Sequence, residues 1–187
     1  LRAVLTVARD AGLRAHMDGA RLMNAVVASG VAAAEWAAGF DTAWIDFSKG
    51  LGAPMGACLA GSAELIDEAW RYKQMLGGAM RQAGIVAAGA LYALDHNVER
   101  LAEDHENARA LAEGLSGAPG LAIDVDEVET NIVVFEVPDA PALVRALADD
   151  GVRMGALGPT TMRAVTHLDV DRAGIDTAIA AVRRALA

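Results

Sequence analysis

The chain has 187 residues, 54% of them hydrophobic but only 4% aromatic, and a formal net charge of −9. That length fits one large domain or a domain with a small partner, with a core built from small aliphatic side chains. The charge excludes the basic stripe that nucleic acid requires and disfavours an anionic membrane surface, and no apolar run reaches transmembrane length.

Leu1, Val4, Leu5 and Ala8 recur at helical spacing, and Gly12 stops the helix. The chain thus opens inside an amphipathic pattern and reads as the C-terminal part of a longer polypeptide. Leu13 to Met17 reads as a short strand, Ala20 to Ser29 as an alanine-rich helix stopped at Gly30, and 32–38 as a second short helix ending at Gly39. The apolar run Ala43 to Phe47 reads as a strand. Gly50, Gly52, Pro54 and Gly56 then mark a turn into a second apolar run, Met55 to Ala60. That run holds the lone cysteine, Cys58, which suits a reducing cytoplasm rather than a disulfide framework. Helices alternating with short strands imply an α/β fold with a mostly parallel sheet. Ligands of such sheets bind at the carboxyl ends of strands, where His16, Asp18 and Lys49 are expected to fall.

Ser62 is the expected N-cap of a helix with Leu65, Ile66, Ala69 and Trp70 on one face. Gly77-Gly78 interrupts it, and a helix resumes near Met80 and runs to about Asn97. Leu101, Ala108, Leu111, Ala112 and Leu115 mark the buried stripe of the next helix. Ser116-Gly-Ala-Pro-Gly120 is the clearest punctuation, dividing the chain into 1–115 and a small α+β domain at 116–187. In that domain the pattern predicts a strand at 131–137, a helix at 140–149, strands at 152–157 and 162–166, and a helix at 171–187. The last carries Ile175, Ile179, Val182 and Leu186 on one face.

The chemistry gathers at Asp46-Phe-Ser-Lys49-Gly-Leu-Gly-Ala-Pro54. A lysine at the end of a buried strand can lose solvation and become an amine nucleophile, which forms Schiff bases with carbonyl cofactors. A carboxylate from an earlier strand end, Asp18, would complete the minimal equipment of a pyridoxal phosphate enzyme. Each residue has a plainer reading too: Lys49 as a solvated turn lysine, Asp18 as the cap of the following helix.

Four segments carry a resemblance: His16-Met-Asp-Gly-Ala-Arg-Leu-Met-Asn-Ala25, Ser48-Lys-Gly-Leu-Gly-Ala-Pro54, Met75-Leu-Gly-Gly-Ala-Met-Arg-Gln-Ala-Gly84 and Arg163-Ala-Val-Thr-His-Leu-Asp169. In this order they resemble the low-specificity threonine aldolases, pyridoxal phosphate enzymes of the aspartate aminotransferase fold (fold type I, β-eliminating lyase group). The resemblance implies the C-terminal part of the fold-type-I large domain followed by the small domain, the family's N-terminal part being absent. It implies Lys49 as the Schiff-base lysine and Asp18 opposite the pyridine nitrogen. Arg21 and Arg163 would grip the substrate carboxylate, and Arg81 would reach the phosphate region, from a neighbouring subunit, with Ser48 near the cofactor. Gln74 stands where many relatives have a lysine. The four histidines, His16, His96, His105 and His167, are too scattered for a metal motif.

The implied activity is cleavage of L-threonine or L-allo-threonine to glycine and acetaldehyde by a cytoplasmic homodimer or homotetramer with shared active sites. Its partner is a small amino-acid substrate, without nucleic acid, membrane or metal. Two alternatives stand beside it: a β-eliminating lyase acting on another amino acid, and a catalytically incomplete fragment serving as a structural or oligomerisation unit.

Overall fold

The computed structural model describes residues 1–187, which fold as two units, Leu1–Glu99 and Arg100–Ala187. In the first, α1 (Arg2–Asp10) ends at Ala11, and Gly12 follows in the left-handed region at φ 66°. No residue of α1 is fully buried; of its apolar stripe Leu5 and Ala8 are half-buried, and Leu1 and Val4 are exposed. The sheet has the order β1 (His16–Gly19), β2 (Thr42–Asp46), β3 (Ala57–Gly61). β1 runs parallel to β2, and β3 runs antiparallel to it. The crossover from β1 to β2 contains α2 (Leu22–Ser29), ended by Gly30 at φ 71°, and the short α3 (Ala33–Ala37).

The strand expected at 13–17 forms instead at His16–Gly19. Its position is held by backbone contact. A Cβ on Gly19 would be driven into the backbone carbonyl of Trp44 on the neighbouring strand, so only glycine permits the approach. After β3, the hydroxyl of Ser62 accepts the backbone N–H of Leu65 and caps α4 (Ala63–Met75). Leu65, Ile66 and Ala69 of α4 are half-buried, whereas Trp70 is 57% exposed and carries Lys73 over its ring. α5 (Gly84–His96) starts later than the expected Met80. Gln82 adopts φ 52°, a left-handed backbone that no α-helix continues through.

The second unit contains α6 (Leu101–Leu115), a 3₁₀ turn at Val125–Glu127, β4 (Ile132–Glu136), α7 (Ala140–Asp149), β5 (Gly155–Ala156), β6 (Thr161–Val165) and α8 (Arg172–Ala185). Its sheet is antiparallel in the order β4-β6-β5. The expected punctuation at 116–120 is present as a loop, but the units divide before it, because α6 packs on α8 and β4. The stripe Leu101, Ala108, Leu111, Ala112 and Leu115 is fully buried, joined by Val133, Phe135, Met162, Ile175 and Val182. Caps fit the chemistry of their residues: the Asp139 and Asp171 carboxylates accept the backbone N–H groups of Ala142 and Gly174. Alternation in β6 turns Met162 and Ala164 into the core and leaves Arg163 on the other face.

Two glycines give a paired test of the first unit. Gly19→Ala is expected to cost about 2 kcal/mol or more, because the obstructing atom is backbone. Gly84→Ala, where nothing lies within 4 Å of an added Cβ, is expected to be neutral or slightly stabilising. Denaturant unfolding of both variants checks the contrast.

Candidate active site

Parallel pairing sets Asp18 of β1 directly beside Trp44 of β2, and His16 beside Thr42. Because side chains alternate along a strand, His16, Asp18, Thr42, Trp44 and Asp46 share one face of the sheet. The His16 Nδ1 to Thr42 Oγ1 contact of 2.8 Å lies on that face, while Met17 is buried on the other. Asp18 and Asp46 sit at the carboxyl ends of their strands, on the same edge. His16 opens β1, at the opposite end from the one expected.

Asp18 Oδ1 accepts the backbone N–H of Ala20 at 3.0 Å, closing a turn. It does not cap α2, whose N-cap is Arg21, without a side-chain capping bond. Arg21 thus stands at the threshold of the helix, half-buried.

The loop after β2 brings Lys49 back over this face. Three backbone bonds shape it: Phe47 N–H to Gly56 O, Ala53 N–H to Phe47 O, and Gly52 N–H to Lys49 O at 2.9 Å. Gly50, Leu51 and Ala53 are buried, and the Asn97 amide donates to the Leu51 carbonyl at 2.7 Å. Gly89 of α5 lies so close to Pro54 that an added Cβ would approach Pro54 Cδ to 2.9 Å. The rigid part of the loop thus lies beneath, and the lysine stands on top.

Lys49 Nζ lies 2.9 Å from Asp46 Oδ2 and 5.3 Å from the centroid of the Trp44 ring. Its side chain is 39% exposed and that of Asp46 9%, so the amine is not stripped of solvent as a buried strand end had suggested. The carboxylate is the more buried partner. Asp46 Oδ1 accepts both the backbone N–H of Ser48 at 2.8 Å and its hydroxyl at 2.6 Å. Burial pushes the Asp46 carboxyl up, but the Ser48 hydrogen bonds together with Lys49 outweigh it and hold the group below its ordinary value. Ser48 thus directs both donors at Asp46.

The remaining residues singled out in the sequence lie elsewhere. Arg81 is exposed in the irregular segment between α4 and α5, not on a helix, and makes no ion pair. Arg163 of β6 pairs with Val134 of β4 and Gly155 of β5; the residue is half-buried, and its guanidinium has no hydrogen-bond or ion-pair partner. His167 Nδ1 accepts the backbone N–H of Asp169, and His96 packs on Tyr92 with ring centroids 4.3 Å apart. Burial lowers the pKa of His105, and the Asp104 charge partly offsets this. No three His, Cys, Asp or Glu side chains converge as metal ligands. Asp46 has no role in the sequence reading, because an aspartate two residues before a serine at a strand end looks like an ordinary turn former.

The family model for beta-eliminating lyases matches residues 1–138. The chain belongs to that family. Among curated members of similar sequence, it is 43% identical over 166 residues to the low specificity L-threonine aldolase of Escherichia coli strain K12, covering 88% of this chain and 48% of that protein. It is 34% identical over 185 residues to low-specificity L-threonine aldolase 1 of Arabidopsis thaliana, covering 96% and 52%. It is also 32% identical over 187 residues to alanine racemase TOXG of Cochliobolus carbonum, covering 96% and 47%. The chain spans about half the length of the curated relatives it matches. Among solved structures, Leishmania major threonine aldolase matches with a TM-score of 0.74 at 18% identity, covering 98% of this chain and 55% of that one. Serine palmitoyltransferase of Sphingomonas wittichii matches at 0.76 and 18%, covering 97% and 49%. The fold of this member of the beta-eliminating lyase family is fold type I, and the chain spans about half the length of those structures.

The Asp46 carboxyl, held below its ordinary 3.8, gives a signed pH dependence. The unfolded chain takes up a proton more readily, so the contribution of Asp46 to stability is present above pH 3.8 and is lost as pH falls through the lower folded value. Asp46→Asn is expected to remove that share of the acid-induced loss. Tryptophan fluorescence during denaturant unfolding from about pH 5 to about pH 2 measures it.

Proposed function

We propose that the protein is a pyridoxal phosphate-dependent aldehyde-lyase that cleaves L-threonine and L-allo-threonine to glycine and acetaldehyde. The observation that carries this reading is that the Asp18 carboxylate and the Lys49 amine both lie at Trp44 on one sheet face, Asp18 paired with it in register and Lys49 Nζ 5.3 Å from its ring. The donor set fits the cofactor. The Lys49 side chain, 39% exposed, ends in a primary amine able to meet an aldehyde, and Asp18 offers a carboxylate on the same sheet face. When bound, the cofactor supplies an electron sink for the bond broken at Cα.

This chain's residues then divide the work. Lys49 tethers the cofactor through its amine, and Asp18 keeps a proton on the ring nitrogen. Ser48 lines the cofactor side of the loop, and Arg81 supplies positive charge to the phosphate, across a subunit boundary. Arg21 and Arg163 hold the substrate carboxylate, a task that planar, multiply donating guanidinium groups perform bidentately. The guanidinium of Arg163, which makes no hydrogen bond or ion pair within the chain, is free to take up such an anion. Cleavage of the Cα–Cβ bond releases the β-carbon as an aldehyde once its hydroxyl proton is removed. The assembly is a homodimer or homotetramer in the cytoplasm. No helix is long and apolar enough to cross a membrane.

The similarity to an alanine racemase favours a second reading, in which the same lysine and carboxylate serve another amino acid. Adding pyridoxal phosphate to the chain is expected to give a visible absorbance band that Lys49→Ala abolishes. Threonine is then expected to yield glycine and acetaldehyde rather than 2-oxobutanoate and ammonia, the products of β-elimination. No band would sink the cofactor assignment; a band without glycine would sink the aldolase assignment alone. Arg163→Gln is expected to raise KM for threonine about tenfold or more while the band persists, a steady-state measurement.

A further inference from the structure

The chain has two lysines, and each lies over a tryptophan: Lys49 Nζ at 5.3 Å from the Trp44 ring and Lys73 Nζ at 4.7 Å from the Trp70 ring. Only Lys49 also has a carboxylate, Asp46 Oδ2 at 2.9 Å. That carboxylate is built in. Its side chain is 9% exposed, and its other oxygen is fixed by two Ser48 donors. It can neither swing away nor exchange freely with water. Asp18 and His16 occupy the same face from β1, but Asp18 spends Oδ1 on Ala20 and His16 is paired with Thr42, so neither holds the amine.

We infer that Asp46 is the positioning residue of Lys49: it seats the amine at one place above Trp44, and the amine must leave this carboxylate before it can bond a carbonyl carbon. The inference rests on Lys49 being the cofactor lysine. The physical reason for such a seat is entropic. A lysine side chain carries about 2 kcal/mol of rotamer entropy, and a partly exposed one would otherwise sample many positions. An ion pair with a fixed carboxylate narrows that search and provides the place to which the amine returns when it is released. The direction of the effect on free-lysine chemistry is opposite: in the resting state the seat withholds the amine from reagents.

The absence of other lysines makes the test direct. Trace labelling with an amine reagent such as acetic anhydride, at one fixed pH, is read by peptide mass spectrometry as the Lys49 to Lys73 ratio. Lys73 is the internal reference, a lysine over a tryptophan without an ion pair. In Asp46→Asn the ratio is expected to rise about fivefold, the scale of a single partly exposed ion pair. Asp46→Glu is expected to return it most of the way. In the unaltered chain, raising salt to about 1 M is expected to raise the ratio, because the Debye length contracts to about 3 Å, and to leave it unchanged in Asp46→Asn.

An unchanged ratio in Asp46→Asn, an equal rise in Asn and Glu variants, or a salt-independent ratio in the unaltered chain would each overturn the inference. The salt arm needs no variant and decides the matter if Asp46→Asn does not fold. The labelling involves no cofactor, so failure of the pyridoxal phosphate band and failure of this inference are separate results.

Discussion

Parallel pairing of β1 with β2, in the register that sets Asp18 against Trp44, is the constraint from which the site follows. A slip of one residue would turn His16 and Asp18 to the opposite face, since side chains alternate with a period of two. Two features hold the register. Gly19 allows a backbone approach to Trp44 that no larger residue tolerates, and the Asp41 carboxylate accepts the Ala15 N–H at 2.7 Å ahead of the strand. The turn before β1 and the glycine within it therefore do as much for the chemistry as the residues that carry it.

The loop bearing Lys49 shows how a flexible cation is given a definite address. Its buried side, Gly50, Leu51 and Ala53, is anchored through Asn97 and fitted against Gly89. Its exposed side is ordered by charge, with Ser48 orienting Asp46 and Asp46 orienting Lys49. Apolar packing and a charged relay act on opposite sides of the same few residues. Neither alone would do: packing fixes the backbone but not a four-carbon side chain, and an ion pair on an unanchored loop contributes little.

Much of this was legible in the sequence where local signals agree with tertiary context. The helix at 140–149 forms at the expected residues, because Asp139 caps it and Pro141 occupies the first turn. Ser62 caps as expected, and the α6 stripe is buried as its spacing requires. The departures arise where context overrides propensity. Met80 to Ala83 are good helix formers, yet Gln82 turns left-handed and delays α5. The apolar run from Leu13 suggested a strand one turn too early, because strand pairing is set by the neighbour rather than by the run itself. Arg21 lies at a helix threshold that no capping signal marks. The Lys49 motif was readable as chemistry, but its counter-ion was not, since a strand-end aspartate is indistinguishable in sequence from an ordinary turn former.

The second unit applies a related logic to β6, the strand that carries Arg163. Beyond its last residue, the Thr166 N–H donates to the Asn131 carbonyl, the Thr166 hydroxyl donates to the Asp104 carbonyl at 2.6 Å, and the Asn131 amide donates to the Thr166 carbonyl at 2.9 Å. Asp104 is itself fully buried, its carboxylate gripped by both terminal nitrogens of Arg100 at 2.6 and 3.3 Å. Asn107 adds a bond to the Val170 carbonyl, fixing the loop that follows the strand. A buried ion pair is weak evidence for added stability, because desolvation offsets most of its attraction, but it strongly disfavours arrangements that would leave either charge unpaired. Here that selectivity acts on the end of β6. The strand cannot shift along β4 without breaking the Thr166 bonds and exposing polar groups inside a dry core. Arg163 gains a fixed backbone from polar groups that never touch it. Its guanidinium makes no hydrogen bond or ion pair within the chain, and within the buried network itself Asn131 Oδ1 is the oxygen left without a partner.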